Sequence, residues 1–205
     1  DGVGGDGNSQ YIRTFGIAIN DAAYADLVWE ATFDGDKTRS CDIIAGSPIY
    51  SPEEKAIYFT TGKREGNALI AVYDKGGSIL WSWHIWVTDE EISTSAGNGL
   101  VWQDRNLGAS SNTPGEVDNR GLLYQWGRKD PFLGSSNISQ PIEPQNTLES
   151  FHEVPSSEGG TVSYSVTHPT TFILEESSSG DWLQQADNSL WSTVKTIYDP
   201  CPFGW

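Results

Sequence analysis

The sequence predicts a mainly β protein, in which an N-terminal β-sandwich is followed by a loop-rich α+β portion with few short helices. Two apolar runs, 66–74 and 78–89, flank the turn Lys75-Gly76-Gly77, and this arrangement is a strong hairpin signal. Further short strand-like runs recur between turn residues, which is typical of β-sandwiches. The 22 Gly and 10 Pro residues make turns frequent, and long amphipathic helical patterns are scarce.

The second run of this hairpin is apolar on both of its faces. Side chains alternate along a strand, so one face carries Ile79, Trp81, Trp83, Ile85 and Val87. The other face still holds Leu80 and Trp86, and strands of this kind usually lie at the centre of a sheet. We therefore expect the hairpin to be the framework of a β domain, with His84 packed or facing an edge.

Shorter strand-like runs precede the hairpin at 11–19, 24–32 and 56–60. They predict a three-stranded meander over 55–88 and a β-sandwich-like domain over 1–90. Residues 11–15 are either a mobile strand that pairs with a neighbouring subunit or a frayed terminus.

The character of the chain changes after Asp89, where the polar stretch 93–99 predicts a connector between two domains. Residues 95–205 form the predicted loop-rich module, which includes a strand at 100–109 that runs into a turn. The chain contains no Met and ends on an aromatic residue within what looks like a motif. We therefore expect a processed product or a fragment, with the module truncated at its C-terminal end.

A short helix is predicted from Asn119 to Trp126, because three apolar residues are spaced to share a face: Leu122, Leu123 and Trp126. Residues 134–180 are rich in Ser, Pro, Thr, Glu and Gly. We expect a long, weakly structured segment there, with strand-like pieces at 161–166 and 171–174.

The charge balance excludes two classes of partner. Lys and Arg number 12 against 28 Asp and Glu, which gives a net charge of −16. Such a field repels nucleic acid and anionic membrane surfaces, and it is typical of a soluble exported protein. No run approaches the ~20 apolar residues of a membrane helix. The two cysteines, Cys41 and Cys201, fit either two thiols or one disulfide.

Motifs for catalysis and for metal or cofactor binding are absent from the sequence. The histidines, His84, His152 and His168, stand in no pattern with a Ser or Cys nucleophile, and no G-x-S-x-G elbow is present. There is no C-x-x-C or H-E-x-x-H spacing and no phosphate-binding glycine loop. The sequence therefore predicts a protein that is not an enzyme and uses no cofactor.

Two aromatic clusters are the candidate ligand-binding sites, because exposed Trp and Tyr rings can stack on sugars. The first is Trp102 with Asp104 and Arg105, and the second is Tyr124 and Trp126 with Arg128. In the competing interpretation the aromatics are core anchors, and Arg105, Arg128 and Asp130 make structural hydrogen bonds. We favour this competing interpretation, in which the residues are structural.

Five blocks resemble, in the same order, the C-terminal module of fimbrillin-family surface proteins of Bacteroidales. They are GNALIAVYDKGGSILWSWHIWVTD (66–89), WQDRNLGA (102–109), GLLYQWGRKDPFLG (121–134), HPTTFI (168–173) and KTIYDPCPFGW (195–205). The C-terminal blocks are also similar to a diverged FISUMP-type module. The resemblance covers roughly residues 55–205.

The resemblance implies an exported, lipid-anchored or fimbria-associated adhesin on the outer-membrane surface of a Gram-negative bacterium. Its expected partners are other surface or fimbrial subunits, and no enzymatic role is implied. We therefore expect a non-enzymatic cell-surface protein in adhesion or fimbrial assembly. The alternative is a glycan-binding, lectin-like surface module that binds host or microbial glycans.

Overall fold

The computed structural model describes residues 19–32, 41–88, 92–116, 119–133, 152–176 and 180–201. Within these residues the protein is mainly β, because strands account for 34% and helices for 7%. This confirms the predicted class. The described strands form one three-stranded sheet and three two-stranded sheets, so the sandwich arrangement stays a prediction.

The described elements are nine strands and two short helices. In chain order they are β1 Tyr24–Ala31, β2 Ile49–Ser51, β3 Ala56–Tyr58, β4 Gly66–Tyr73, β5 Ile79–Val87, β6 Thr94–Gly97, β7 Leu100–Gln103, β8 His152–Pro155, α1 Ser156–Gly159, α2 Val162–Thr167 and β9 Thr171–Leu174. Among the described residues, no helix has both the length and the apolar character needed to cross a lipid bilayer.

The main sheet is antiparallel and has the order β1-β4-β5, so the predicted hairpin is confirmed as β4–β5. Its turn is held by Asp74, whose Oδ1 accepts hydrogen bonds from the backbone N–H groups of Gly76 and Ser78. The prediction that the second strand is central was wrong. β4 is buried over its first seven residues, whereas most of β5 is only half-buried. The small and aliphatic side chains of β4 allow cover on both faces, while the bulky rings of β5 face partly outwards.

The predicted meander over 55–88 was also wrong, because β3 pairs with β2 rather than with β4. The neighbour of β4 is instead β1, whose buried Glu30 holds the segment 41–44 against the sheet. The Glu30 carboxylate accepts hydrogen bonds from the backbone N–H groups of Cys41, Ile43 and Ile44 at 2.7–3.0 Å. This one carboxylate satisfies three donors that the sheet leaves unpaired.

The stretch 93–99, predicted to be a polar connector, contains a strand instead. β6 and β7 form an antiparallel hairpin in the register Thr94↔Gln103 to Gly97↔Leu100. Asn98 and Gly99 form the two-residue turn, with φ values of +54° and +78°. Positive φ at both positions is the reason that Asn-Gly favours this type of hairpin turn. The strand predicted at the start of 100–109 is confirmed as β7.

Residues 120–126 form no helix, contrary to the prediction. Gly121 has a φ of +68°, and a Cβ there would lie 2.4 Å from the carbonyl oxygen of Leu107. The chain therefore turns sharply, which buries Leu122, exposes Leu123 and pairs Leu123 with Phe132 in an isolated β-bridge.

Residues 152–176 are ordered, whereas the sequence predicted a weakly structured segment there. β8 and β9 pair in parallel, with α1 and α2 between them. β9 confirms the strand predicted at 171–174. Residues 162–167 form α2 rather than a strand, because the Thr161 side chain caps it by accepting from the Tyr164 N–H. The predicted donor strand at 11–15 lies outside the described residues.

Three clusters form the described core. One joins the main sheet to the chain after it: Trp29, Ala31, Leu69, Leu122 and Leu133. A second lies on the other side of β4 and comprises Ile43, Ile44, Ala68 and Ile70. A third packs around β8 and β9 and comprises Val154, Ile173, Trp182, Leu183 and Leu190. The first cluster positions the loop that carries the predicted second ligand cluster against the sheet.

Candidate binding site

The β6–β7 hairpin exposes a continuous apolar stretch to solvent. Leu100, Val101 and Trp102 are 56%, 46% and 57% exposed, and every residue of β6 is exposed as well. Successive residues of a strand point to opposite faces, so apolar side chains are exposed on both faces of β7. In the described part of the chain, these two strands pair only with each other. No further described strand therefore covers the edges of this hairpin.

A groove of about 550 Å³ runs along β7 and the loop that follows it. Twelve of the described residues line it: Leu100, Val101, Trp102, Gln103, Asp104, Arg105, Asn106, Leu107, Ser111, Asn112, Asn119 and Cys201. The structure thus brings together the predicted first cluster, Trp102, Asp104 and Arg105. The members of the second cluster, Tyr124, Trp126 and Arg128, do not line this groove.

Asp104 and Arg105 form a bidentate ion pair at the base of the hairpin. Arg105 Nε and Nη2 lie 2.8 and 3.2 Å from the two carboxylate oxygens of Asp104, and Nη1 donates to the carbonyl of Ser110. Asp104 also accepts from the N–H and hydroxyl of Ser93, which anchors the start of the hairpin. The hydrogen bond from Arg105 is the main cause that holds the pKa of Asp104 well below its usual range.

Arg128 lies in the interior and is 1% exposed. Its guanidinium donates to the carbonyls of Thr171 and His168 at 2.7 and 3.1 Å and to the Gln125 side-chain oxygen at 2.7 Å. Burial lowers the pKa of Arg128 to about 10, so it remains a cation at neutral pH. Arg128 therefore holds the loop 121–133 against β9. Because it is buried, it cannot contact a ligand directly.

The aromatic members of the second cluster have separate roles. Trp126 is 54% exposed and packs edge-on against Trp191 with ring centroids 5.0 Å apart. Tyr124 is partly buried against the first core cluster and also contacts Trp191 edge-on. Tyr124 and Arg128 thus fit the competing interpretation, whereas its prediction that the tryptophans are core anchors was wrong for Trp126 and for Trp102, which is 57% exposed.

His84 is packed and takes part in a chain of hydrogen bonds. Its Nε2 lies 2.7 Å from Asn67 Oδ1, and Asn67 Nδ2 donates to the carbonyl of Gly108 at 2.9 Å. The Tyr124 hydroxyl lies 3.5 Å from Nδ1. Burial lowers the pKa of His84 to about 4, so the ring is neutral at pH 7. The Asn67 amide donates to Gly108, so its oxygen faces the ring and Nε2 is the donor.

Sequence reasoning missed a buried ion pair beside the main sheet. Lys129 Nζ lies 2.7 Å from both carboxylate oxygens of Asp130 and 3.0 Å from the carbonyl of Ser82 on β5. The Ser82 hydroxyl donates to Asp130 at 2.8 Å, and the Lys129 ammonium stands 4.5 Å from the ring centroid of Trp81. Burial lowers the pKa of Lys129. Ser82 is a polar residue within an apolar strand, and from it the sequence could have predicted a buried polar partner.

Cys41 and Cys201 form no disulfide with each other in the structure, so that alternative is not realised there. Cys41 is exposed beside β1, where its N–H is bonded to Glu30, whereas Cys201 is half-buried in the wall of the groove. Burial raises the pKa of the Cys201 thiol. Within the described ranges, no three metal-ligating side chains come together.

No family model, curated protein or solved structure matches this chain.

Proposed function

We propose that this chain is a non-enzymatic binding protein of the bacterial cell surface that acts in adhesion or fimbrial assembly, with the β6–β7 hairpin as its recognition surface. The resemblance of five sequence blocks to fimbrillin-family proteins supports a site of action on the outer-membrane surface of a Gram-negative bacterium. The proposed partners are other surface or fimbrial subunits.

One observation carries the proposal, namely the exposed run Leu100, Val101 and Trp102 on a two-stranded hairpin. A continuous exposed apolar patch on a soluble protein typically marks an interaction site. An isolated two-stranded hairpin is also only marginally stable in water. Contact with a partner would therefore stabilise the hairpin and cover its apolar side chains.

The charge pattern around the hairpin supports the same proposal. Residues 92–103 contain no charged side chain, although the whole chain carries a net charge of −16. Proteins usually protect an open strand edge with charged residues or proline, and this edge has neither. An acidic partner can therefore approach residues 92–103 without meeting a negative side chain on the hairpin itself.

The described ionisable groups support a binding role over a catalytic one. Lys129, Asp130 and Arg128 are buried and bonded within the protein, and both ring nitrogens of His84 face protein groups. Each of these groups positions a loop on the sheet. In the described residues they converge on no shared cleft.

The test compares beads coated with the wild-type protein and with a hairpin variant that carries Leu100→Ser, Val101→Ser and Trp102→Ser. We expect the variant to lose self-aggregation of the beads and adherence to cells of the source organism. A matched control replaces three equally exposed apolar residues outside the hairpin: Ile49, Leu123 and Val194, which are 67%, 52% and 73% exposed. Surface labelling of intact cells should detect the protein outside the cell.

Unchanged adherence of the hairpin variant, or an equal loss in the control variant, would contradict the assignment of the surface. A purely cytoplasmic location would contradict the cell-surface role. The alternative, a lectin-like glycan-binding module, is favoured by the exposed indole of Trp102 next to a groove that carries several carboxamide side chains.

A further inference from the structure

We infer that the groove beside β7 binds a neutral oligosaccharide, with Trp102 as the platform on which one sugar ring stacks. This inference rests on the lectin-like alternative of the proposed function, because it assigns a glycan class to the same recognition surface. The groove volume of about 550 Å³ lies within the range of small-molecule sites, roughly 300–1,000 Å³.

Trp102 provides the apolar part of the site. Its side chain lines the groove and the residue is 57% exposed, so the indole is accessible to a ligand. An aromatic ring buries a large area with little loss of conformational freedom, and it can cover the C–H face of a pyranose. A sugar presents such an apolar face on one side and hydroxyl groups around its edge, which matches an indole next to polar side chains.

Four carboxamides provide the polar part: Gln103, Asn106, Asn112 and Asn119. The amide groups of Asn106 and Asn119 donate to the carbonyls of Asn119 and Thr113 at 2.9 and 2.7 Å. These bonds fix the orientation of the two amides. Their side-chain oxygens accept no hydrogen bond within the described part of the chain, so they remain available to sugar hydroxyl groups.

Gln103 supplies a donor that the described protein leaves unused. Its Nε2 atom is buried and has no hydrogen-bond partner among the described residues. Buried polar atoms nearly always have a partner, and an unpaired one costs free energy. Because Nε2 is enclosed, it meets a sugar hydroxyl or ring oxygen only when the Gln103 amide turns toward the groove that this residue lines.

The charge of the groove selects a neutral sugar over an acidic one. Among the described residues that line it, only Asp104 and Arg105 have charged side chains, and they neutralise each other in a bidentate pair. The Cys201 thiol stays protonated, because burial raises its pKa. The net charge of −16 then repels carboxylate or sulfate groups, and the described lining residues supply no cation beyond the paired Arg105 to offset this repulsion.

The experiment measures binding of the full chain to an array of neutral and acidic glycans, followed by titration calorimetry with galactotetraose and with its acidic counterpart, tetragalacturonate. We expect binding to neutral members and weaker or no binding to acidic ones. Trp102→Ala should weaken binding about tenfold or more, because stacking and area burial are lost together. Trp126→Ala is the matched control, because this indole is equally exposed at 54% and lies outside the groove.

Gln103→Leu gives a second readout that separates a ligand contact from a structural one. It should weaken glycan binding without lowering the melting temperature, since the amide donor is unpaired in the free protein. Silence across the neutral glycans, a preference for acidic glycans, or equal losses in Trp102→Ala and Trp126→Ala would overturn the inference. If the array is silent while the hairpin variant still loses bead adherence, the proposed adhesive function stands and the carbohydrate inference falls.

Discussion

Replacing Asp130 by Asn should destabilise the fold more than any comparable change at a surface ion pair. The side chains of Lys129 and Asp130 are only 8% and 3% exposed, and Asp130 is the counterion of the ammonium. The substitution keeps the shape of the side chain but leaves the Lys129 charge buried without its partner. Removing one member of a buried pair typically costs about 3–5 kcal/mol.

The lower end of this range applies here, because Lys129 keeps the Ser82 carbonyl and the face of the Trp81 ring. We therefore expect a loss of about 3 kcal/mol in the free energy of unfolding at pH 7, or a melting temperature lower by roughly 6–12 °C. Urea denaturation followed by tryptophan fluorescence measures the loss. Asp42→Asn is the control, because the Asp42–Arg64 pair is more exposed, at 16% and 24%, and should cost at most about 1 kcal/mol.

The pH dependence tests the cause of the loss. Burial lowers the pKa of Lys129 in the folded state, so the unfolded chain binds more protons between that lowered pKa and about 10.4. Stability due to this group therefore rises with pH across that window. Loss of the Asp130 charge lowers the pKa of Lys129 further, so the deficit of Asp130→Asn should shrink between pH 7 and pH 10. A deficit as small as that of Asp42→Asn, or one that grows with pH, would refute this reasoning.

Three further predictions concern the framework. Burial lowers the pKa of His84 to about 4, so the unfolded chain binds more protons between pH 4 and 6.5, and stability should be about 2 kcal/mol lower at pH 5 than at pH 7. A His84→Gln variant that keeps the same pH slope in urea titrations would contradict this origin. Glu30→Ala leaves three backbone N–H groups without their acceptor and should cost about 3 kcal/mol or more, whereas a loss under about 1 kcal/mol would mean that water replaces the carboxylate. Gly121→Ala should lower the melting temperature more than Gly115→Ala. Both positions have positive φ, but only a Cβ at residue 121 meets the backbone, 2.4 Å from the carbonyl oxygen of Leu107. Equal shifts in the two variants would contradict the steric argument.

Local signals in the sequence predicted the elements whose geometry is local. The β4–β5 hairpin depends on two apolar runs and on Asp74 at its turn, all within about 24 residues of sequence, and the prediction held. The β6–β7 hairpin has an equally local signal in Asn98-Gly99, which the polar composition around it concealed. A two-residue Asn-Gly turn is therefore a better guide than the polarity of a stretch.

Long-range pairing explains the predictions that failed. Which strand lies at the centre depends on whether β1 or β3 pairs with β4. The strand that does so, β1, carries Glu30, whose hydrogen bonds reach backbone groups more than ten residues away. Similarly, the interior position of Arg128 depends on carbonyl groups of the segment 168–171, about 40 residues further along the chain. No periodicity or spacing near Arg128 carries that information, so the sequence could not separate Arg128 from Arg105 or from a ligand-binding cation.

The two predicted aromatic clusters differ in how their polar neighbours are used, and this difference points to the hairpin. Around Trp126 the charged groups bind backbone carbonyls and fix the loop to the sheet, so the indole is exposed beside groups that are already occupied. Around Trp102 the ion pair is satisfied internally, while carboxamide oxygens and the Gln103 amide remain without partners in the described residues. The polar groups around Trp126 are therefore already bonded within the protein, whereas those around Trp102 can still bind a ligand. Recognition is therefore better sought at β7, on an element that contributes little to the described core.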